Sequence, residues 1–222
     1  MILTLFEHVS IEKLVEASVE TLYMSSIAGL LVFIFGLMIG ILLFLTAETG
    51  LKPNRLINQI LSFLVNVFRS IPFIILLFVI FPLTKLLVGT LIGPEAALPA
   101  LVIGAAPFYG RLVEIALREV DKGVIEASIS MGATLRTIIF KVLIPESLPA
   151  LISGMTVTFI SLIGYTAMAG VVGAGGIGNL AYLDGFQRSH QDVMYVATAI
   201  IIFLVFIIQF IGDRLTKRVD KR

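Results

Sequence analysis

Cysteine is absent from this chain of 222 residues. Its absence excludes disulfide bonds, thiol catalysis and thiolate metal sites. Charged residues are also scarce: they make up 14% of the chain, against roughly 25% of a typical soluble domain. Hydrophobic residues reach 58%, where soluble domains contain about 45–50%. Because the few charges are clustered and leave long apolar runs, the composition indicates an integral membrane protein with a single membrane domain.

The sequence also lacks the signatures of a membrane-embedded enzyme. His8 and His190 are the only histidines, and there is no H-E-x-x-H, no G-x-S-x-G and no pair of aspartates within an apolar run. An intramembrane hydrolase needs a nucleophile with its base, or metal ligands, at membrane depth. The pattern G-x-x-x-x-G-K-[ST] is missing too. We therefore expect no catalytic residue, no metal site and no ATP hydrolysis by this chain itself.

Residues 1–21 do not match a signal peptide, because they carry four glutamates and a single lysine where a signal is basic. On a helix, this segment has an apolar face (Ile11, Leu14, Val15, Ser18, Val19 and Leu22) and an acidic face (Glu12, Glu16 and Glu20). The pattern predicts a short amphipathic helix on the membrane surface or against the bundle. An ordinary solvated helix fits equally well.

Five apolar stretches are long enough to cross a membrane: 22–45, 60–81, 96–114, 148–172 and 193–211. At ~1.5 Å rise per residue, each can span ~30 Å of hydrocarbon as a helix. Their length and continuity favour helices over strands. We therefore predict an all-α integral membrane fold, with a transmembrane domain over residues 22–211.

The positions of lysine and arginine predict how the spans are oriented. Residues 212–222 form a basic tail, which places the C-terminus in the cytoplasm. Five spans then place the N-terminus outside, so that residues 1–21 are extracytoplasmic. The other loops agree: Lys52, Arg55, Arg118, Lys122, Arg136 and Lys141 fall inside, and Lys85 and Arg188 fall outside.

The longest cytoplasmic connection covers residues 116–147. Within it, residues 124–131 suit a short helix with small side chains, which Gly132 ends. Small side chains let another surface approach the backbone, and Glu126 offers a charge for orientation. The pattern fits a docking surface, but a plain interfacial connector also explains it.

A second helical stretch is expected before the fourth span. Its apolar residues, which we expect to pack on the bundle, are Ile138, Ile139, Val142 and Leu143. Pro145 should close this stretch, because proline cannot continue a helix interior. Pro149 then suits the first turn of the fourth span.

Charged residues also fall within the spans. Arg69 is costly if it faces lipid, so it either reaches the interface or, with Asn66 and Ser70, faces the bundle interior. At the inner end of the third span, Glu114 lies three residues after Arg111 and four before Arg118. The carboxylate can pair with either base, which we interpret as structural neutralisation.

Residues 173–178 match G-x-G-x-x-G, but a nucleotide site is not indicated. That fingerprint requires a preceding strand in a soluble unit, whereas this one follows a membrane helix on the outer side, away from ATP. A flexible gate, a close-packed turn facing a binding protein and a plain turn all fit.

The docking interpretation gains support from a family resemblance. Glu126-Ala127-Ser128, three residues, Gly132, nine residues and Val142-Leu143-Ile144-Pro145 resemble the EAA loop of ABC importer permeases. The family has a second alanine at the place of Ser128, and commonly Ile and Leu where this chain has Val142 and Ile144. The resemblance implies a coupling helix seated in a groove of a cytoplasmic ATPase. The implied coupling residues are Glu126, Ala127, Ser128, Met131, Gly132 and Pro145.

Further segments resemble methionine-importer permeases: FRSIPFIILL (68–77), GAAPF (104–108), KVLIPESL (141–148) and GYTAMAG (164–170). The resemblance implies a five-span type I ABC importer permease in the bacterial cytoplasmic membrane. It also implies a homodimer, two ATPase subunits that bind ATP and magnesium, and an extracytoplasmic methionine-binding lipoprotein. Candidate residues of the translocation pathway are Asn66, Arg69, Tyr165 and Met168, although tight helix packing alone also explains the last two.

Three other functions stay open. The first is a permease of the same class for another small amino acid, a methionine derivative or a short peptide, which uptake competition with labelled L-methionine distinguishes. The second is a membrane enzyme, which would be active without an ATPase. The third is a passive channel or scaffold, which would show no ATP-dependent accumulation.

Overall fold

A computed structural model describes residues 7–220, which are almost entirely helical and contain no strand. Residues 1–6 of the predicted N-terminal segment and 221–222 of the tail lie outside this range. The α-helices are α1 (Ile11–Thr46), α2 (Arg55–Ser70), α3 (Phe73–Val79), α4 (Phe81–Val88), α5 (Pro94–Arg118), α6 (Lys122–Ser130), α7 (Leu135–Ile138), α8 (Ile144–Val171), α9 (Gly176–Leu180) and α10 (Gln191–Val219). Two π-helical segments, Ile139–Leu143 and Ala181–Gln187, precede α8 and follow α9.

Within the described range, the chain passes five times between two ends of a bundle. Four helical segments (α1, α5, residues 135–171 and α10) are long and apolar enough to cross a membrane alone. α2 and α3, taken as one bent span, make the fifth. We call the two ends the α6 end and the α9 end, after the short helices found there. The predicted all-α membrane fold is confirmed, and positions 8 and 219 lie at opposite ends.

The first span differs from the prediction at its start. α1 runs unbroken from Ile11 to Thr46, so the expected separate amphipathic helix is wrong, and its residues form the first turns of the span. No proline or glycine interrupts residues 11–28, which leaves nothing to end the helix there. The apolar positions Ile11 and Val19 stay exposed, while the small residue Ala17 packs against the bundle.

The second span is broken, and the prediction of one continuous helix over 60–81 is wrong. α2 ends at Ser70, α3 begins at Phe73, and the two are bent by 107°. Pro72 has no N–H to donate to the helix and forces the preceding residue out of the helical region. Ile71 accordingly has φ −79° and ψ 123°. α4 then completes the passage to the α9 end, where Gly93 N–H donates to Gly173 O at 2.9 Å.

The fourth and fifth spans are longer than predicted. Pro145 does not close a separate helical stretch, because a π-helical turn leads directly into α8. In this turn Ile144 N–H donates to Ile139 O, so the chain enters α8 with Pro145 in its first turn, where a missing N–H is tolerated. At the C-terminus, α10 continues to Val219, so most of the predicted tail is helical.

The core lies where α1 and α8 pack on α5. Tyr109 of α5 is fully buried and donates its hydroxyl hydrogen to Leu151 O of α8 at 3.4 Å. On α1, a Cβ added to Gly36 would lie 2.7 Å from the Tyr109 ring, so the close crossing of α1 and α5 depends on this glycine. In contrast, α2 buries only Val65. The three-helix core therefore carries α2–α4 on one side and the α6 connection at one end.

Candidate coupling surface and intramembrane cavity

The short helix α6 has defined starting and ending signals. At its start, the Asp121 carboxylate accepts hydrogen bonds from Gly123 N–H at 2.7 Å and Val124 N–H at 3.3 Å. At its end, Gly132 has φ +78°, a left-handed conformation that suits glycine, and Ala133 N–H donates to Ser128 O at 3.0 Å. The predicted helix and its glycine terminator are confirmed.

One side of α6 packs on the bundle and the other is open. Ile125 and Ser128 are buried, and the Ser128 hydroxyl donates to Val124 O at 2.8 Å. We call the open side, formed by Glu126, Ala127, Ile129, Ser130, Met131 and Gly132, the coupling face. Met131 is 79% exposed, which is unusual for an apolar side chain at the end of a membrane bundle. Ser128, which the family resemblance includes among the coupling residues, lies on the side packed on the bundle.

The stretch after α6 attaches it to the fourth span. Ile138 and Leu143 are buried as predicted, whereas Ile139 and Val142 are partly buried. Pro145 is exposed but lies in the first turn of α8, beyond the coupling face. Sequence reasoning did not single out Ile129 and Phe140, which are 50% and 65% exposed. The sequence could have indicated them, because each is an apolar residue that lies outside the buried face of its helix.

An ion-pair cluster lies just before α6 at the end of α5. The side chain of Glu114 is 3% exposed and accepts hydrogen bonds from Arg111 at 2.5 Å and from Arg118 at 2.7 Å. The carboxylate thus pairs with both bases, which confirms the predicted neutralisation. Because both arginines reach outward, the cluster anchors the last turn of α5 at the α6 end.

Two predicted pathway residues meet in one cavity beside the break in the second span. The cavity measures about 280 Å³. Its lining residues are Phe68, Arg69, Ile71, Phe73, Leu76, Gly104, Phe108 and Tyr165. The Phe73 and Tyr165 rings stack at 4.5 Å with 2° between their planes. The Arg69 guanidinium carbon lies 6.0 Å from the centre of the Phe108 ring. We call this space the Arg69 cavity.

The other two predicted pathway residues do not line this cavity. Asn66 is exposed on α2, and its backbone carbonyl accepts a hydrogen bond from the Ser70 hydroxyl at 2.8 Å. Met168 is 47% exposed on α8, one turn beyond Tyr165. Of the four predicted pathway residues, Arg69 and Tyr165 line the cavity and the other two do not.

The glycine-rich segment forms a close-packed turn. Gly176 N–H donates to the Glu20 carboxylate at 2.6 Å, and Ile177 N–H donates to the Thr21 hydroxyl at 2.9 Å. Gly178 touches the backbone of Ala167 so closely that a Cβ would overlap it. Glu20 therefore serves as the acidic cap of α9. Sequence reasoning missed this role, because the two residues are far apart in the chain.

Further polar contacts join the start of the chain to the segment after α9. The Asp184 carboxylate accepts hydrogen bonds from Lys13 at 2.8 Å and Arg188 at 2.5 Å. The hydrogen bond from Lys13 holds the pKa of Asp184 below its usual value. The backbone N–H of His8 donates to the Asp192 carboxylate at 2.9 Å. The rings of His8 and His190 stack at 4.0 Å.

Comparison with known proteins identifies the family. A model described as "Binding-protein-dependent transport system inner membrane component" matches residues 33–222. The chain belongs to this family. It is therefore a permease component of a transport system, and a multi-pass protein of the cytoplasmic membrane.

Individual members of this permease family match nearly the whole chain. The methionine import system permease protein MetP of Bacillus subtilis is 60% identical, with 98% of each chain covered. The D-methionine transport system permease protein MetI of Escherichia coli K12 is 46% identical over 91% of this chain and 94% of that one. An inward-facing structure of the MetNI methionine ABC transporter superposes with a TM-score of 0.93 at 45% identity, covering 95% and 98% of the two chains.

Proposed function

We propose that this chain is the permease subunit of an ATP-driven importer that carries methionine across the cytoplasmic membrane. The observation that carries the proposal is the end-to-end match, at 60% identity, to a permease named for methionine import. The fold agrees, because it superposes on a methionine transporter caught facing inward. Since transport function depends on the whole path through the membrane, a match over the full length is stronger support than a matching loop.

The proposal includes an orientation and partners. The α6 end faces the cytoplasm, in keeping with its basic residues Arg55, Arg118, Lys122, Arg136, Lys141, Arg214, Lys217 and Arg218. The coupling face binds a cytoplasmic ATPase, which holds ATP and magnesium, and the α9 end faces an extracytoplasmic methionine-binding lipoprotein. Two copies of the chain pair, and the largely unburied α2 supports such pairing.

The geometry supports a way for the ATPase to move the permease. ATP binding closes the two ATPase subunits and displaces the helix α6 seated in each. α6 is joined to α5 by residues 119–121 and to α7 by residues 131–134, and buried Ile125 holds it on the bundle. Its displacement therefore moves the ends of α5 and α8 together, and the bundle alternates between inward-facing and outward-facing states.

Reconstitution tests the proposal. The chain, its ATPase and its binding protein are placed in liposomes, and uptake of labelled L-methionine is measured with and without ATP. We expect accumulation only with ATP, and competition by unlabelled methionine. Accumulation of other solutes without competition by methionine would indicate a permease for another cargo. Equilibration without ATP would indicate a channel, and turnover of a substrate by the chain alone would indicate an enzyme.

A further inference from the structure

The Arg69 cavity holds a cation without an anion. Among the described residues, Arg69 forms no ion pair and no hydrogen bond, and its guanidinium lies over the Phe108 ring. Three other arginines, Arg111, Arg118 and Arg188, each bind a carboxylate. A guanidinium within an apolar span is costly unless it meets an anion or water. Arg69 is exposed in the single chain, so its guanidinium gives this open cavity a positive charge that can attract a negatively charged ligand.

The remaining walls suit an apolar side chain. The aromatic rings belong to Phe68, Phe73, Phe108 and Tyr165. Gly104 allows a close approach, since an added Cβ would lie 3.2 Å from Leu76 and 3.4 Å from the Phe73 ring. The Tyr165 hydroxyl has no hydrogen-bond partner among residues 7–220, although the ring is stacked. A volume of about 280 Å³ lies near the lower limit of small-molecule sites, which begin at ~300 Å³. The cavity thus fits a small molecule rather than a peptide.

The break in the second span adds a hydrogen-bond acceptor. Pro72 has no N–H, so the Phe68 carbonyl four residues earlier lacks the donor that a continuous helix would provide. Broken helices in membrane transporters expose such carbonyls beside their substrate sites. Phe68, which carries this carbonyl, lines the same aromatic cavity as Arg69 and Tyr165.

We propose that the Arg69 cavity is a transient binding site for the transported amino acid. Arg69 binds the α-carboxylate, the Phe68 carbonyl accepts a hydrogen bond from the α-ammonium group, and Tyr165 bonds the carboxylate through its hydroxyl. The thioether side chain lies against the rings of Phe73 and Phe108, because sulfur packs favourably at aromatic edges. This inference rests on the proposed function, which names the substrate, and it adds where the permease itself holds that substrate.

The test measures binding to the permease–ATPase complex in nanodiscs, without the binding protein. Labelled L-methionine is competed with methionine and with methionine amide, which lacks the carboxylate. We expect Arg69→Gln to weaken methionine binding by at least about tenfold and to abolish the preference for methionine over its amide, because a charge-assisted bond is lost. Arg69→Lys should retain part of that preference.

Two variants extend the test if Arg69→Gln does not assemble. Tyr165→Phe removes only the hydroxyl and should weaken binding by about threefold, a change typical of one lost neutral hydrogen bond. Gly104→Leu should fill the cavity and block binding while Arg69 stays in place. Val157→Ala is the matched control, because Val157 is exposed on α8 outside the cavity, and its binding should equal that of the unaltered chain.

The outcomes separate this inference from the proposed function. If the unaltered complex takes up no methionine, the proposed function fails. If it transports methionine but binds none in nanodiscs, or if Arg69→Gln and Gly104→Leu keep the preference for the carboxylate, the cavity is not a substrate site. A preference retained by Arg69→Gln but lost in Val157→Ala would place the site elsewhere on α8 and also overturn the inference.

Discussion

The two ends of the bundle are held together in different ways. At the α9 end, hydrogen bonds join residues distant in the chain: Glu20 to Gly176 and Thr21 to Ile177 across 156 positions, and Lys13 to Asp184 across 171. At the α6 end, side-chain hydrogen bonds cap and stabilise α6 and α7. These hydrogen bonds join residues only two to four positions apart in the chain. The attachment of the two helices to the bundle is apolar, through Ile125 and Ile138.

The difference is in keeping with the proposal that the α6 end is the one that a partner moves. Hydrogen bonds are directional and fix the geometry of the groups they join, whereas apolar burial is non-directional and tolerates small displacements. The α9 end is thus secured by specific bonds between its segments. At the α6 end, a helix stabilised by its own caps packs on the bundle through apolar contacts and leaves the coupling face open.

The largest effect should come from breaking the packing at the α9 end. Gly178→Ala places a methyl group against the backbone of Ala167. Backbone atoms in a helix cannot move aside as a flexible side chain can, so the overlap remains. We expect a destabilisation of ~1–3 kcal/mol or more, and low yield of folded protein. Thermal unfolding in detergent measures this. Gly164→Ala is the control, because no atom lies within 4 Å of its added Cβ; equal stability of the two variants would contradict the packing described.

The second effect concerns coupling rather than stability. Gly132→Val should reduce ATP-driven uptake at least about tenfold, because the side chain obstructs the partner's approach and strains a left-handed residue. Gly89→Val matches it in backbone strain, since Gly89 has φ +84°, Gly132 has φ +78° and both lie in open space. Gly89 is at the opposite end of the bundle. Similar uptake losses in both variants would show that strain, and not docking, explains the result.

Reversal of charge on the coupling face gives an independent check. Glu126→Arg adds no backbone strain, because Glu126 is exposed in the middle of α6. We expect loss of ATPase binding, or ATP hydrolysis without uptake, measured by co-purification and by paired hydrolysis and uptake assays. Normal assembly and normal uptake in this variant would refute the docking role of the coupling face.

A smaller effect is expected at the acidic cap of α9. Glu20→Gln replaces a charge-assisted bond to Gly176 N–H with a weaker one and removes a charge from a helix N-terminus. The cost should be ~1 kcal/mol, visible as faster amide exchange at residues 176 and 177. Glu16→Gln is the control, because Glu16 lies in the same cleft but makes no hydrogen bond among the described residues. Unchanged exchange in Glu20→Gln would contradict the capping role.

The smallest effect is a pH dependence at the same end. The pKa of Asp184 is lowered in the folded protein by Lys13, so its contribution to stability is present above the ordinary carboxyl pKa and is lost as the pH falls below ~4. Because Lys13 and Arg188 are exposed, the loss should be below ~1 kcal/mol. Asp184→Asn should flatten this part of the unfolding profile. A profile identical to that of the unaltered chain would contradict the assignment.

Much of the α6 end was predictable because its structure is local. Asp121, the small residues of α6 and Gly132 act within a few positions of one another, and their pattern predicted the helix and its end correctly. The burial of Ser128 was not predictable, since which side of a short helix is buried depends on the bundle beneath it. The prediction of a short amphipathic helix ahead of the first span was wrong, because an amphipathic pattern does not itself end a helix.

The sequence by itself determined the membrane class, the five passes and the short helix with its glycine end, since these depend on composition, run length and local backbone preference. Tertiary structure alone decided that Glu20 caps α9, that Pro72 turns the second span by a large angle, and that Arg69 meets Tyr165 while Asn66 and Met168 stay apart. These arrangements depend on how distant helices rotate and cross when they pack, and no local pattern encodes that geometry.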